Sequence, residues 1–267
     1  MKLVTWNVNS IRLRLARVLD WIDRQQPDVL CMQETKVTDE LFPVEPFSQR
    51  GYQLALFGQK TYNGVAIASR LPMSAIGRGL LAGDGAGEGE GAGGRDGEEA
   101  RLVWAEIAGV RVVCAYVPNG QAPGTPKYEH KLSWMGRLRR HMADSCDPAA
   151  PLALCGDFNV APEDRDVHDP LALEGQIMCS EPERQALRDI AAIGLVDGLR
   201  QLRPEAGLYT WWDYRQLSFP RNHGLRIDHV LLTAPLAARL HGVVIDRDAR
   251  KGKQPSDHAP VIATFAP

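Results

Sequence analysis

The stretch Lys253-Gln254-Pro255-Ser256-Asp257-His258-Ala259-Pro260 stands near the C-terminal end of the chain, directly before an apolar run from Val261 to Phe265. An acid and a histidine are thus placed together at the start of a predicted strand. In extended backbone, successive side chains point to opposite sides, so Asp257 and His258 could serve a metal and a phosphate from one turn. Ser-Asp-His is also a good turn or helix-cap sequence, and the triplet alone does not decide between these alternatives.

Four other segments place polar residues at the ends of predicted strands. These segments are Thr5-Trp6-Asn7-Val8-Asn9, Met32-Gln33-Glu34-Thr35, Gly156-Asp157-Phe158-Asn159 and Arg226-Ile227-Asp228-His229. Several acids converging at one edge of a sandwich would repel one another without a cation between them. Carboxylate and amide oxygens suit a hard cation such as Mg2+ or Mn2+, which takes its remaining ligands from water and substrate phosphates. Hydrolysis of phosphodiesters or phosphomonoesters is therefore the leading reaction class.

Length and composition indicate one large globular domain. The chain has 267 residues, 44% of them hydrophobic and 24% charged, and we expect residues 1–267 to form a single α/β domain. No apolar run is long enough for a membrane span or a signal peptide. The five cysteines, an odd number without a Cys-x-x-Cys motif, predict reduced thiols and a cytoplasmic location.

The net charge of −2 is unevenly distributed. Residues 84–99 contain six acids and one arginine, a local charge of −5, so the rest of the chain carries +3. Residues 83–97 are more than half glycine, a composition that cannot bury enough apolar area to offset its ordering entropy. We expect a flexible Gly/acid-rich insert at about 83–99, between two strands, whose deletion leaves turnover unchanged.

Hydrophobic periodicity predicts more strands than helices. Strands are expected at 2–8, 28–32, 52–57, 64–69, 75–81, 101–107, 111–117, 152–155, 226–232, 240–245 and 259–265. Helices are expected at 11–25, about 128–142 and 181–193. Two sheets packed face to face, with helices on the outside, would satisfy this pattern.

Seven motifs in order resemble those of the bacterial exonuclease III family, the AP endonuclease branch of the endonuclease/exonuclease/phosphatase superfamily. They are Trp6-Asn7-Val8-Asn9, Gln33-Glu34-Thr35, Tyr116-Val117-Pro118-Asn119-Gly120, Gly156-Asp157-Phe158-Asn159, Tyr209-Thr210-Trp211-Trp212-Asp213-Tyr214-Arg215, Gly224-Leu225-Arg226-Ile227-Asp228 and Ser256-Asp257-His258. The resemblance implies a four-layered αββα sandwich of two mixed sheets, the DNase I-like fold. It also implies Mg2+-dependent (or Mn2+-dependent) hydrolysis of phosphodiesters in duplex DNA.

The resemblance implies that Glu34 is the principal metal carboxylate, with Asp257 beside it or acting through water. Asn9 stands where some relatives carry an aspartate near the metal. This departure leaves the number of protein ligands open, and one metal is not distinguished from two.

The resemblance also implies the catalytic roles. Asp157 resembles the residue that orients or deprotonates the attacking water, with Asn7 holding its carboxylate. Asn159 would bond the scissile phosphate or the water, and His258 a phosphate oxygen. Asp228 resembles the partner that fixes the tautomer of His258 and favours its charged form. Either Asp157 or His258 could be the base.

The substrate side of the site follows from the same resemblance. Tyr116 would reach the scissile phosphate through its hydroxyl, with Asn119 as a further donor. Trp211, Leu225 and Ile227 would surround a small apolar pocket that suits a deoxyribose without its base. An abasic nucleotide also costs less to extrude from the base stack.

Contacts to the DNA backbone would come from basic and polar residues around the site. The resemblance implies phosphate contacts from Arg12, Tyr62 and Asn63, and a loop around Arg221 that enters a groove. A predicted basic helix could either add contacts or be a solvated face. Its basic residues are Lys127, Lys131, Arg137, Arg139 and Arg140. Backbone contacts carry no sequence information, so lesion or end recognition is expected.

The activity implied is that of a monomeric exodeoxyribonuclease III or AP endonuclease. It would incise duplex DNA 5′ of abasic sites and process 3′ ends by 3′→5′ exonuclease and end-cleaning reactions. The balance among these activities is not readable from the sequence, because it depends on loop shape. One alternative is another phosphoesterase of the superfamily, such as a phosphatase or a non-specific DNase. A non-catalytic DNA-binding protein is another, but every main catalytic position is filled.

Overall fold

The apolar runs of the sequence form two six-stranded sheets in the computed structural model, which describes residues 1–80 and 99–266. The first sheet contains β1 (Lys2–Asn7), β2 (Val29–Gln33), β3 (Gln53–Phe57), β4 (Val65–Ser69), β11 (Leu240–Ile245) and β12 (Val261–Phe265). The second contains β5 (Met73–Arg78), β6 (Leu102–Ile107), β7 (Val110–Tyr116), β8 (Leu152–Asp157), β9 (Leu195–Asp197) and β10 (Asp228–Thr233). The spatial orders are β11-β12-β1-β2-β4-β3 and β5-β6-β7-β8-β10-β9. Both sheets are mixed, because β1–β2 and β7–β8 are parallel and the other pairs antiparallel.

The inner faces of the two sheets pack against each other and form the central core. Alternate residues of the central strands, such as Val29, Cys31 and Cys114, are fully buried there. Alternation arises because successive strand side chains point to opposite faces. Cys155 joins the same cluster, and all three of these cysteines fill the core as free thiols.

Helices cover the two outer faces and complete four layers. The helices are α1 (Ile11–Gln25), α2 (Val44–Ser48), α3 (Pro126–Ser145), α4 (Glu181–Ala191), α5 (Gly198–Leu202), α6 (Ser218–Arg221) and α7 (Ala234–Ala237). Helices α1 and α2 cover the first sheet, where Trp21 packs on Trp6 with 5.5 Å between ring centroids. Helices α3 and α4 cover the second sheet. The predicted α/β sandwich of two mixed sheets with outer helices is therefore confirmed.

Local sequence signals account for the ends of α1. The Ser10 hydroxyl accepts a hydrogen bond from the Leu13 amide at the N-terminus. At the C-terminus Gln26 adopts a left-handed conformation with φ of 48°, and Pro27 follows. Helix α1 has the predicted bounds.

Other elements differ from the prediction. Strand β8 runs two residues further, and its last residue is Asp157. A Cβ at Gly156 would lie 1.8 Å from the Ala115 carbonyl oxygen, so only glycine allows β7 and β8 to approach here. The short strand β9 and helices α2, α5, α6 and α7 were not predicted, because elements of three to five residues carry little periodic signal.

One surface assignment on α3 is wrong. Lys131 was grouped with the basic residues of a solvated or DNA-facing side, whereas its side chain is fully buried. The predicted insert at about 83–99 falls almost entirely outside the described residues. None of the described helices combines the length and apolar character needed to cross a membrane.

Candidate active site

Sheet topology brings the polar strand ends to one edge of the sandwich. Parallel pairing of β1 with β2 aligns Asn7 with Gln33, and parallel pairing of β7 with β8 aligns Tyr116 with Asp157. Strand β10 runs antiparallel to β8 and begins at Asp228, directly opposite Asp157. Polar groups distant in the sequence thus meet where both sheets end.

Asn7 connects the two sheets within the site. Its Nδ2 donates one hydrogen bond of 2.9 Å to Glu34 Oε1 and another of 2.9 Å to Asp157 Oδ2. The Tyr116 hydroxyl donates a further bond of 2.9 Å to Glu34 Oε1. Both amide protons of Asn7 are used, so this side chain fixes the two carboxylates relative to each other.

His258 lies between two aspartates. Its Nδ1 is 2.9 Å from Asp228 Oδ2, and its Nε2 is 3.7 Å from Asp157 Oδ2. Burial alone would lower the pKa of His258, but Asp228 and then Asp157 outweigh it and raise the pKa to about 10. The ring therefore carries a positive charge at neutral pH and holds it at the edge of the site.

Asp157 is the carboxyl best suited to exchange a proton near neutrality. Its side chain is 1% exposed, and burial, partly offset by His258, raises its pKa to about 7. The nearby Asp228 and Glu34 charges act in the same direction as burial. A general base works best with a pKa near the operating pH.

Two of the three residues predicted to bind a metal direct oxygens at one cation, the Lys36 ammonium. The Lys36 ammonium lies 2.7 Å from Glu34 Oε2 and 2.7 Å from Asn9 Oδ1. Asp257 Oδ1 accepts a bond of 2.9 Å from Asn9 Nδ2. Lys36 thus shows that oxygens of Glu34 and Asn9 lie within reach of a single positive charge, as a hard cation requires.

The pKa values of the two carboxylates agree with this arrangement. Burial would raise the pKa of Glu34, but the Lys36 charge and hydrogen bonds to it and to Asn7 leave that pKa below its ordinary value. Burial opposes ionisation of Asp257 as well, yet the charge of His258 and bonds from Asn9 keep its pKa low. Both groups are therefore ionised at neutral pH, the form that binds a metal.

A second group of potential ligands lies beside this one. Among the residues that the structure describes, Asp157, Asp228 and His258 form a buried group whose ligand atoms lie within 4.8 Å of one another. Both ring nitrogens of His258 face these two carboxylates, which favour the charged form of the ring. We therefore interpret this group as proton and phosphate machinery, and Glu34 with Asp257 as the cation side.

Two asparagines after β7 and β8 face the same edge. Asn159 is 4% exposed, and its backbone amide donates to Asp157 Oδ1 at 2.9 Å. Asn119 is exposed and donates through Nδ2 to Asn159 Oδ1 at 3.2 Å. The two loops are thus connected to each other and to Asp157.

The predicted apolar pocket residues lie together at different depths. Trp211 is half-buried, its Nε1 donates to Asp257 Oδ2 at 3.0 Å, and its backbone bridges both Leu225 and His258. Leu225 is 5% exposed and Ile227 is fully buried, so Ile227 supports the pocket from behind. Trp212 is the fully buried member of the tryptophan pair.

The predicted DNA-backbone residues are not equivalent. Arg12, Tyr62 and Arg221 are exposed. Asn63 is 7% exposed, and its Nδ2 donates inward to Gln59 Oε1 at 2.9 Å. A side-chain contact from Asn63 to a phosphate stays a prediction, one that its inward orientation does not favour.

Sequence reasoning missed three polar residues of the site. Lys36, which contacts Glu34, stands only two positions after it, and this proximity was the available signal. Arg14 donates to the Asn9 carbonyl and, at 3.1 Å, to the Tyr214 hydroxyl, and Tyr214 donates to Pro255 O at 2.8 Å. These bonds connect α1 to the segment that carries the Asp-His pair, and no sequence pattern indicated them.

The chain is similar over its whole length to known proteins that act on DNA. The chain is 32% identical to exodeoxyribonuclease III of Haemophilus influenzae, over 99% of this chain and 100% of that protein. Among solved structures, an AP endonuclease from Archaeoglobus fulgidus superposes with a TM-score of 0.92 at 39% identity, covering 100% of both chains. The 3′ phosphatase NExo from Neisseria, bound to a product DNA hairpin, also gives 0.92, at 40% identity over 100% of this chain and 99% of that one.

The family profile described as "Endonuclease/Exonuclease/phosphatase family" matches residues 4–258. That span contains every predicted catalytic and metal-binding residue. The chain belongs to the endonuclease/exonuclease/phosphatase family, whose members are metal-dependent hydrolases.

Proposed function

We propose that this protein is a Mg2+-dependent DNA-repair phosphodiesterase that acts on duplex DNA. It incises 5′ of abasic sites and processes 3′ ends, both by attack of water on phosphorus. The observation that carries the proposal is the double hydrogen bond of Asn7 to Glu34 and Asp157. A cation-binding carboxylate and a carboxyl with a pKa of about 7 are thereby held side by side.

Glu34 and Asp257 would hold the metal, with Asn9 contributing its amide oxygen or orienting Asp257. When bound, Mg2+ would neutralise charge on the phosphoryl oxygens. The charged oxygen donors fit Mg2+ or Mn2+ better than softer metals.

The chain's own residues perform the remaining steps. Asp157 accepts a proton from the attacking water, while Asn7 holds its carboxylate in place. His258, kept charged by Asp228, donates to a phosphoryl oxygen whose negative charge grows as water attacks. Tyr116, whose single hydroxyl proton is directed at Glu34 in the structure, would turn it to the same phosphate when the substrate binds. Donors aimed at developing charge lower the barrier most, whereas a positioned base typically adds about 10²–10⁴-fold.

Two further donors and a pocket select the substrate. Asn159 and Asn119 present amide groups to the phosphate from adjacent loops. Trp211 and Leu225, with Ile227 behind them, form an apolar wall that suits a sugar without a base. The relatives named as an AP endonuclease and a 3′ phosphatase support both substrate types for one site.

The DNA backbone would bind across the rim of this edge. Arg12 and Arg221 contribute exposed positive charge, and Tyr62 contributes an exposed ring and hydroxyl. We propose that Asn63 acts through the shape of the turn it supports. The protein would work as a single-domain monomer in the cytoplasm, where its five free thiols stay reduced.

The deciding experiment uses 5′-labelled duplexes incubated with the protein in Mg2+ or EDTA and resolved on a denaturing gel. One duplex carries a tetrahydrofuran abasic analogue, one is undamaged and blunt, and one ends in a 3′-phosphate. A Mg2+-dependent cut just 5′ of the analogue would establish incision. A ladder from the undamaged 3′ end, or loss of the 3′-phosphate alone, would assign the main activity to end processing. Intact DNA in every lane would overturn the proposal.

The division of roles is tested by pH–rate profiles of Asp157→Asn and His258→Asn. The first variant is expected to lose the rise of activity with pH that proton loss from Asp157 produces. The second is expected to lose activity at all pH values. Profiles of unchanged shape and height in both variants would refute the assignment.

A further inference from the structure

A buried ion pair lies behind the two asparagine loops. The side chains of Lys131 on α3 and Glu183 on α4 are both 0% exposed, and the Lys131 Nζ contacts Glu183 Oε1 directly. Lysine and glutamate are almost never fully buried unless they are paired. A pair of this kind costs desolvation energy, and apolar residues often replace it without loss of stability. Stability alone therefore does not explain why these residues are here.

The remaining donors of Lys131 go to the active-site loops. Its Nζ donates to the Asn159 carbonyl at 2.7 Å and to the Asn119 carbonyl at 3.2 Å. With the bond to Glu183, all three ammonium protons have acceptors. One side chain on an outer helix therefore holds the backbone of both asparagines that follow β7 and β8. The Asn159 Nδ2 donates one proton to the Val117 carbonyl at 3.0 Å and keeps its second proton for a ligand.

The loops need such support because their backbone is unusual. Asn159 has φ of 51° and Gly120, next to Asn119, has φ of 88°. Left-handed conformations persist when surrounding contacts hold them. A Cβ at Gly120 would lie 2.9 Å from Lys131 Cδ, so the loop passes directly over the lysine side chain.

Glu183 is fixed independently of Lys131. It accepts bonds from the amides of Met178 and Ser180, at 3.1 and 3.2 Å, and from the Ser180 hydroxyl at 2.6 Å. That hydroxyl also contacts the Tyr128 hydroxyl at 2.7 Å, which connects α4 back to α3. The carboxylate is thus a rigid anchor that aims the ammonium at the two carbonyls.

We propose that Lys131 is a positioning residue for the phosphodiesterase site: anchored by Glu183, it fixes the backbone of Asn119 and Asn159 so that their amides meet the scissile phosphate. The inference rests on the proposed function, because it assigns the two amides to the phosphate. Lys131 touches neither substrate nor metal in this scheme.

The main test is a double variant, the charge-neutral pair Lys131→Met/Glu183→Gln, which removes both charges of the buried ion pair. Its glutamine retains the capping box of α4. Its Tm should stay close to that of the wild type, because no unpaired charge remains. We expect kcat to fall by about 10- to 100-fold with KM changed by less than about threefold, since small misplacements are costly in the transition state. Lys127→Met, which removes an exposed charge from the same helix, should match the wild type. Full turnover in the charge-neutral pair would overturn the proposal.

A second variant covers the case in which that pair does not fold. Glu183→Gln alone keeps a side-chain oxygen that can accept from Lys131 Nζ, so the lysine stays anchored under both carbonyls. Tm should fall, because the buried ammonium loses its counter-charge, while turnover is largely retained. If the ion pair were merely structural, the Tm and the turnover of Glu183→Gln would fall in proportion, and that result would overturn the proposal.

A double-mutant cycle identifies the route of the effect. If Lys131 acts through Asn119, the Lys131→Met/Glu183→Gln change should cost much less in an Asn119→Ala background. Equal fold-losses in the two backgrounds would overturn the route.

Side-chain amide resonances of Asn119 and Asn159 provide a readout that does not need activity. These resonances should broaden or shift in the charge-neutral pair and stay unchanged in Lys127→Met. Resonances that stay unchanged in both variants would count against positioning. A wild-type protein that cleaves none of the duplexes would overturn the proposed function, and the resonances would still decide whether Lys131 holds the two loops.

Discussion

The contact between His258 and Asp228 makes the sharpest prediction, because one substitution changes both a pKa and the stability. Asp228→Asn keeps the shape of the side chain but removes the charge 2.9 Å from Nδ1. The pKa of His258 is about 10, against an ordinary value of 6.5, a difference equivalent to about 5 kcal/mol in favour of imidazolium. Among the charges that raise this pKa against burial, Asp228 is the largest, and breaking a buried ion pair typically costs about 3–5 kcal/mol.

The sign of the pH dependence follows from the raised pKa. The imidazolium stabilises the fold fully below the unfolded pKa of 6.5, and this contribution disappears as the pH rises through about 10. Asp228→Asn should therefore lose about 3–5 kcal/mol relative to the wild type at pH 6, and far less above pH 10. The pKa of His258 itself should fall by about 2 to 3, the upper part of the usual effect of one neighbouring charge, because each unit of pKa corresponds to about 1.4 kcal/mol.

The assay is urea unfolding of both proteins in EDTA at each pH, with NMR titration of the His258 ring. Asp248→Asn, which removes an exposed carboxylate paired with Lys251, is the matched control and should show a small, constant difference. An equal stability loss at both pH values, or an unchanged pKa of His258, would refute the reasoning.

Four other changes test the remaining parts of the site. Glu34→Gln should lower turnover by about 10²–10³-fold and raise the Mg2+ concentration needed for half-maximal rate; an unchanged Mg2+ titration would contradict its role as a ligand. Trp211→Ala should reduce incision at the abasic analogue more than exonuclease on undamaged duplex, and equal losses would argue against the pocket. Asp166→Asn removes the buried carboxylate shared by Arg226 and Arg200, so that Arg226, which is 1% exposed, keeps only Asp197, and it should cost about 3–5 kcal/mol in urea unfolding at pH 7. Burial would raise the pKa of Asp166, but Arg226 lowers it below the ordinary value of 3.8. The ion pair therefore stabilises the fold fully above pH 3.8, and this stabilisation is lost as the pH falls through the lower pKa that Asp166 has in the folded protein. A stability difference between variant and wild type that stays constant in acid would be inconsistent with that. Arg12→Ala should reduce the slope of log affinity against log salt by about 1, and an identical slope would exclude a phosphate contact.

The sequence by itself determined the longer elements and the chemistry of their ends. Hydrophobic periodicity and the following Pro27 predicted α1 with its observed bounds, because both signals are local. The polar residues at strand ends, Glu34 and Asp157 among them, were visible because each interrupts or directly follows an apolar run. Their convergence could be predicted because parallel neighbouring strands end at one edge of a sheet.

Only the tertiary structure decided how these groups act. The bridge of Asn7 between Glu34 and Asp157 joins positions 27 and 150 residues away, and no local pattern encodes it. The pKa of Asp157 likewise depends first on burial, which exists only once both sheets are packed.

Lys131 shows the limit of sequence analysis most clearly. In the sequence it is one of several basic residues on a helix, and this pattern predicts a side chain that faces solvent or DNA. In the fold its ammonium lies against Glu183 and beneath two loop carbonyls. Asn63 shows the same limit, because its side chain turns inward to Gln59. Residue type and spacing predict which chemistry is available. Whether a polar side chain faces solvent or the interior depends on the elements that pack against it, and only the fold decides that.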